Sequence, residues 1–321
     1  MIKILRNLRL PVIGAPMFLV SGEALVTAQC RAGIIGAFPA LNARSSQELA
    51  AWLSRIAAAT SAPGHAPFAV NLIVNARNVR LEDDLAVCVE HKVPIVITSM
   101  SSPERVVDRV HGYGGIVLHD ASTVKYAHKA STAGADGLIL VCAGAGGHTG
   151  TLNPLAFVNE VRQFFPGPVT LSGCITTGAD ILAARVLGCE LAYMGTRFIA
   201  TRESSASAPY KQMILESGSE DVVCTPLFSG VAANYLADSI RKAGLDPSNL
   251  PAQETPSGYR RRADGPRPWK NVWGAGQAVG AIHDIPDTAR LVDRLAAEYR
   301  AAALSITGED QRSAAPTQAA G

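Results

Sequence analysis

The chain of 321 residues predicts an eight-stranded parallel (β/α)₈ barrel with a mostly helical insertion after the eighth strand. Three observations predict it. Eight short runs rich in Val, Ile or Leu recur up to residue 198, apolar on both faces rather than alternating, as strands covered by helices must be. Helical patterns separate them. Glycine clusters fall at 14–17, 144–150, 173–178 and 274–276, positions that such a barrel would gather on one rim.

The strand runs are 11–17, 33–39, 67–74, 94–100, 115–120, 137–143, 169–174 and 191–198. The helical segments between them are 22–32, 46–60, 81–91, 103–113, 122–133, 154–165 and 178–187. A spacing of roughly 25 residues per unit agrees with a barrel of about 200 residues plus an insertion. The first run follows a basic stretch, 1–9, and superficially resembles a secretory leader. Pro11 and Pro16 interrupt it, no good cleavage site follows, and no stretch reaches the ~18 apolar residues needed to cross a bilayer. A first strand of a soluble, cytoplasmic domain is the better reading. A doubly wound sheet is the rival fold, but the early Gly-x-Gly-x-x-Gly and its following acid are missing.

After residue 201 the pattern changes. Residues 202–270 carry polar helical stretches, a Pro- and Ser-containing loop at 246–259 and the basic run Arg260-Arg-Arg262, which together read as a helical cap on the barrel mouth. Residues 271–306 return to the barrel formed by 1–201. They hold a second glycine cluster, Trp273-Gly-Ala-Gly-Gln277, and an amphipathic stretch, 287–304, that closes the fold. The small polar end, 307–321, reads as a disordered tail.

Composition excludes several function classes. A formal net charge of +2, without basic runs interleaved with aromatics, speaks against nucleic acid. The six cysteines form no Cys-x-x-Cys and have no zinc spacing with the histidines, so neither metal nor a disulfide framework is expected.

The segment Val141-Cys-Ala-Gly-Ala-Gly-Gly-His-Thr-Gly150 carries the chemistry best. Gly146 and Gly147 let a flat ligand approach bare backbone, and His148 can move protons near neutral pH. In barrel enzymes phosphate commonly sits after strands seven and eight. Those ends read Ser172-Gly173-Cys174 and Gly195-Thr196, where backbone N–H groups and the Thr196 hydroxyl could hold a phosphate dianion. Arg197 either adds charge or pairs within the structure. Any one glycine cluster is equally a tight turn, and a lone histidine is usually structural. That second description suits the other six, with His119 ambiguous at the end of strand five. Cys142 and Cys174 lack a histidine-plus-acid arrangement and read as packing. Ser99 to Pro103 lacks the Gly-x-Ser-x-Gly of a hydrolase elbow. Asn71 could offer donor and acceptor to a flavin pyrimidine edge, or bond its own loop.

Pro11-Val-Ile-Gly-Ala-Pro-Met17, Phe68-Ala-Val-Asn-Leu72, Ala143-Gly-Ala-Gly-Gly-His-Thr-Gly150, Leu171-Ser-Gly-Cys174 and Met194-Gly-Thr-Arg-Phe198 occur in that order. The set resembles the nitronate monooxygenase family, formerly called 2-nitropropane dioxygenases, from about residue 10 to 205. Phe228-Ser-Gly230 and Trp273-Gly-Ala-Gly-Gln277 extend the likeness. The resemblance implies noncovalent FMN, with His148 as the catalytic base near flavin N5. It implies that Ala15, Pro16 and Met17 line the isoalloxazine, that Asn71 bonds it, and that Ser172, Gly173, Cys174, Gly195 and Thr196 hold the phosphate. Gly146 and Gly147 would lie against the ring, and Gln277 would join the site.

Two positions depart from the family pattern. Some relatives carry a lysine after the histidine that ends strand five, where this chain has His119-Asp120. An acid there would not stabilise an anionic reduced flavin as a cation does. Cys174 also replaces a usual glycine, although its backbone N–H survives.

The reaction expected is oxidation of an alkyl nitronate or nitroalkane with O2 to a carbonyl compound and nitrite. The same fold family includes NAD(P)H-driven, FMN-dependent reductases of enoyl thioesters or quinones, so fold alone does not choose. A phosphate-recognising barrel without flavin is the non-redox alternative. The sequence leaves room for a homo-oligomer and places no membrane or nucleic acid among the partners.

Overall fold

The computed structural model describes residues 2–251 and 266–313. Eight parallel strands close into a barrel: β1 (Val12–Gly14), β2 (Ile35–Pro39), β3 (Phe68–Ile73), β4 (Ile95–Ser99), β5 (Ile116–Ala121), β6 (Gly137–Val141), β8 (Val169–Ser172) and β9 (Leu191–Met194). A two-residue strand, β7 (Gly147–His148), leaves the barrel after β6. Register closes the cylinder, because Ile13 on β1 lies opposite both Ile35 on β2 and Tyr193 on β9. Every strand expected from the sequence is present, most of them a residue or more shorter at one or both ends, while β5 runs one residue past its expected end to Ala121. The first and eighth lose four residues each: β1 keeps only Val12–Gly14, and the eighth stops at Met194, where Thr196–Ile199 turns into a helical segment, α8.

Between the strands run α1 (Glu23–Arg31), α2 (Ser46–Ala59), α3 (Leu81–Glu90), α4 (Glu104–His111), α5 (Val124–Thr132), α6 (Pro154–Val161) and α7 (Gly178–Val186). Their starts follow from capping chemistry. Ser45, Thr123 and Asn153 each accept a hydrogen bond from a backbone N–H in the first turn, and Thr177 with Asp180 forms a reciprocal capping box.

Strand alternation sorts the side chains into two layers. Ile13, Ile35, Ala69, Ile95, Ile97, Leu118, Ile139 and Tyr193 fill the barrel interior. Residues of opposite parity, such as Val70, Val96, Val117 and Leu140, pack outward under the helices.

The stretch after the barrel contains α9 (Ala208–Glu216) and α10 (Ala237–Lys242), as its helical pattern suggests. It also contains an antiparallel ribbon, β10 (Val222–Thr225) and β11 (Ala233–Leu236), which the sequence did not suggest. The basic run Arg260–Arg262 lies outside the described residues. The terminal helix α11 (Thr288–Ser313) extends past the expected end at 304 and into the expected tail, of which residues 314–321 lie outside the described residues. No helix among the described residues is long and apolar enough to cross a membrane.

Helix α7 docks closely on α11. A Cβ added at Gly178 would stand 2.3 Å from Tyr299 N and 2.4 Å from Leu295 O, both backbone atoms that cannot swing aside. Gly178 N also donates to Glu298 Oε2 at 2.8 Å. Overpacking of this kind costs about 1–3 kcal/mol. Gly178→Ala is therefore expected to lower the unfolding free energy by that amount, measured by denaturant titration followed by circular dichroism.

Candidate functional site

At the C-terminal mouth of the barrel, the segment after β1 lies against the end of β9. Ala15 N donates to Met194 O at 2.9 Å, and a Cβ on Gly195 would lie 3.5 Å from Ala15 Cβ and 3.6 Å from Met17 Sδ. Asn42, not singled out in the sequence, braces this segment. Its Nδ2 donates to Met17 O and Ser21 O, while its Oδ1 accepts from Leu19 N. Pro16 sits half-buried between the two contact residues.

The ends of β8 and β9 form a cradle of unsatisfied donors. Gly173 has φ +125°, and Cys174 adopts φ +56° in the left-handed region that favours the glycine it replaces. Among the described residues, no acceptor takes the backbone N–H of Gly173, Cys174, Gly195 or Thr196; three of these residues are half-buried and Cys174 is exposed. Four such donors fit one phosphate dianion. The Thr196 hydroxyl oxygen accepts from Gly276 N at 2.8 Å, which leaves its own hydrogen to donate.

The start of α7 contributes less than helix-terminus reasoning suggests. Thr176 N and Thr177 N donate to Asp180 Oδ2, and Gly178 N donates to Glu298. Ser172 is a buried strand residue whose carbonyl accepts from Cys142 N at 2.9 Å. Arg197 is structural: it is 2% exposed and donates to Asp284 Oδ1 at 2.6 Å. Burial raises the pKa of both Cys142 and Cys174, so neither presents a ready thiolate.

The glycine loop after β6 lies across this cradle. Gln277 N donates to Gly144 O at 2.9 Å, and a Cβ on Gly146 would meet Gly276 N at 2.7 Å and Thr196 Oγ1 at 2.9 Å. The loop is pinned from the other side as β7, with Gly147 paired to Asn234 and His148 to Ala233 on β11. Asn234 Nδ2 donates to Ala145 O at 2.7 Å. The ribbon missed in the sequence thus holds the residue the sequence most favoured.

His148 is exposed at the rim, and among the described residues nothing bonds its ring nitrogens. Its ring meets Trp269 edge-on at 5.6 Å. Loss of solvent around the imidazole lowers its pKa, so the neutral, proton-accepting form prevails near neutral pH.

Asn71 lies lower, on β3 inside the barrel. Its Nδ2 donates to Ile97 O at 3.2 Å and to Ser99 Oγ at 2.7 Å, so both donor hydrogens serve the barrel wall and only Oδ1 remains for a ligand. Ser99 Oγ in turn donates to Asp120 Oδ2 at 2.5 Å. Desolvation raises the Asp120 pKa to about 7, opposed in part by the bond from Ser99. The neighbouring His119 points the other way, bonded to Thr98 Oγ1 at 2.8 Å in the outer layer, and burial lowers its pKa to about 4.

These shifts act on stability with opposite signs. Between the usual carboxylate range and about pH 7, folded Asp120 holds a proton that the unfolded chain releases, so its contribution falls as pH rises. For His119 the unfolded chain binds the extra proton between about pH 4 and 6.5, so its contribution falls as pH drops. Asp120→Asn should therefore gain stability relative to the parent as pH rises to about 7, by about 2–4 kcal/mol. Thermal melts of the two proteins across that range check the slope.

A family model described as nitronate monooxygenase matches residues 76–298. A nitronate monooxygenase from Paraburkholderia phytofirmans is 29% identical, over 90% of this chain and 92% of that protein. Among solved structures, nitroalkane oxidase from Streptomyces ansochromogenes aligns with a TM-score of 0.78 and 26% identity, covering 92% of this chain and 97% of that one. FabK from Thermotoga maritima aligns with a TM-score of 0.79 and 24% identity, covering 96% and 97%, a likeness of fold.

Proposed function

The chain belongs to the nitronate monooxygenase family of oxidoreductases, and on that premise we propose that it is an FMN-dependent nitronate monooxygenase. It oxidises alkyl nitronates with O2 to carbonyl compounds and nitrite. One observation carries the reading: four backbone donors at Gly173, Cys174, Gly195 and Thr196, free among the described residues, stand beside the glycine loop that presents His148. When bound, the flavin would supply the redox chemistry, accepting electrons from the nitro substrate and passing them to oxygen.

The chain's own residues do the rest. The cradle fixes a single phosphate, which suits FMN rather than FAD. Ala15, Pro16 and Met17 flank one side of the ring site, Gly146 and Gly147 give it bare backbone on another, and Gln277 holds the loop in place through Gly144. Asn71 offers Oδ1 from below. His148, neutral and with free ring nitrogens, takes the carbon-bound proton of a nitroalkane or orients a nitronate already formed. Residues 1–201 and 271–306 act as the cofactor barrel, and 202–270 as a cap whose ribbon clamps the His148 loop.

Two measurements test this. Mass analysis of the cofactor released by heat is expected to give FMN, and FAD or no flavin would refute the cradle assignment. Aerobic incubation with propyl-2-nitronate should yield nitrite and acetone without added NAD(P)H.

A further inference from the structure

A line of polar groups runs through the barrel interior directly below the mouth. By alternation, Asn71 follows interior residue Ala69 on β3, Ser99 follows Ile97 on β4, and Asp120 follows Leu118 on β5. Tyr193 on β9 is itself an interior residue. Hydrogen bonds connect the first three in one direction, Asn71 Nδ2 to Ser99 Oγ and Ser99 Oγ to Asp120 Oδ2. The chain then stops. Asp120 Oδ1 and Tyr193 Oη are both buried and have no hydrogen-bond partner among the described residues.

Two orphaned polar atoms in a largely apolar interior call for a partner, because each costs about 1–3 kcal/mol when left without one. Asp120 is next to last on β5, at the mouth end of the strand, and is part-buried as a residue while its Oδ1 is enclosed. Among the described residues, no cation acts on the carboxyl group. Around it, β4 presents Ser99, β3 Asn71, β6 the apolar Ile139 and Val141, and β9 Tyr193. Tyr193 is the titratable member of that set, and burial raises its pKa well above that of an ordinary phenol, so it stays neutral. His148, at the same end of the barrel, is held toward neutrality as well.

We propose that Asp120 is a proton-holding group beneath the bound flavin: as a neutral acid it donates from Oδ1, with the Tyr193 hydroxyl beside it, toward the ligand. It also positions Asn71 through Ser99. This rests on the flavin reading above. Its consequence is that the proton on Asp120 partly does the work of a fixed cation. With the acid protonated, negative charge gained by the flavin on reduction meets a donor. With it ionised, the same charge meets a carboxylate. The raised Asp120 pKa puts the change near neutral pH.

The test uses the purified flavoprotein and its Asp120→Asn variant, whose amide is neutral at every pH and matches the acid in shape. The flavin reduction potential of each is measured against a reference dye across neutral pH. Below neutral the two potentials should coincide. Above neutral the parent should fall below the variant as its carboxylate forms, by about tenfold in the reduction equilibrium, or ~30 mV for a two-electron couple. Ser99→Ala removes the hydrogen bond that lowers the Asp120 pKa and should move the parent's inflection to higher pH. Potentials that run parallel at all pH values, or an inflection that Ser99→Ala moves downward, would overturn the proposal while leaving the flavin reading intact. A protein that carries no flavin overturns both.

Discussion

His148→Asn is expected to keep the flavin while slowing its reduction by a neutral nitroalkane about 100- to 10,000-fold, roughly 3–5 kcal/mol of barrier. The backbone of His148 is held by pairing to Ala233, and its side chain makes no hydrogen bond among the described residues, so the change should not disturb the loop. What disappears is a neutral nitrogen able to accept the carbon-bound proton. A preformed nitronate has already lost that proton and should suffer a smaller loss. Stopped-flow bleaching of the flavin with the two substrates separates these cases. Equal, parental rates with both would make the histidine structural.

Gly146→Ala should abolish most cofactor binding without unfolding the barrel. Its Cβ would stand 2.7 Å from Gly276 N, 2.9 Å from Thr196 Oγ1 and 3.0 Å from Ala275 C, so relief requires moving a backbone segment. That movement breaks the Gly276 N–H bond to Thr196 Oγ1, one of the contacts that shape the phosphate cradle. Displacing Thr196 costs the two phosphate contacts it would offer, its backbone N–H and its hydroxyl, at about 1.5–3 kcal/mol each, and weakens binding by at least 100-fold. Flavin content after gel filtration is the readout, with an unchanged melting curve of the flavin-free protein as control. Full flavin occupancy would place the ring elsewhere.

The barrel was legible because each of its strands is buried on both faces, and nothing but a layered α/β core accounts for eight such runs. The boundary error at 191–198 has a local cause. Gly195 breaks the strand, and Thr196 begins a helical turn that residue-type counting reads as more apolar strand. The β10–β11 ribbon was not legible, since four-residue strands such as Val222–Thr225 give too little period to distinguish from a helix end. Its partner β7 is two residues long and is a strand only through tertiary pairing.

The site divides in the same way. The rim residues announced themselves through glycine and one histidine. Asp120 stood out as a departure, but its partners Ser99 and Tyr193 did not, because treating each run as uniformly apolar discards the inward–outward alternation that groups them. Asn71 was read with two possible uses, and its donor hydrogens turn out to serve the barrel wall.

The most direct test of the central claim is anaerobic mixing of the purified flavoprotein with propyl-2-nitronate and, separately, with NADPH. The nitronate should bleach the flavin band within the turnover time, and NADPH should leave it oxidised. Rapid bleaching by NADPH with no response to the nitronate would contradict the account and assign the barrel to an NAD(P)H-driven reductase.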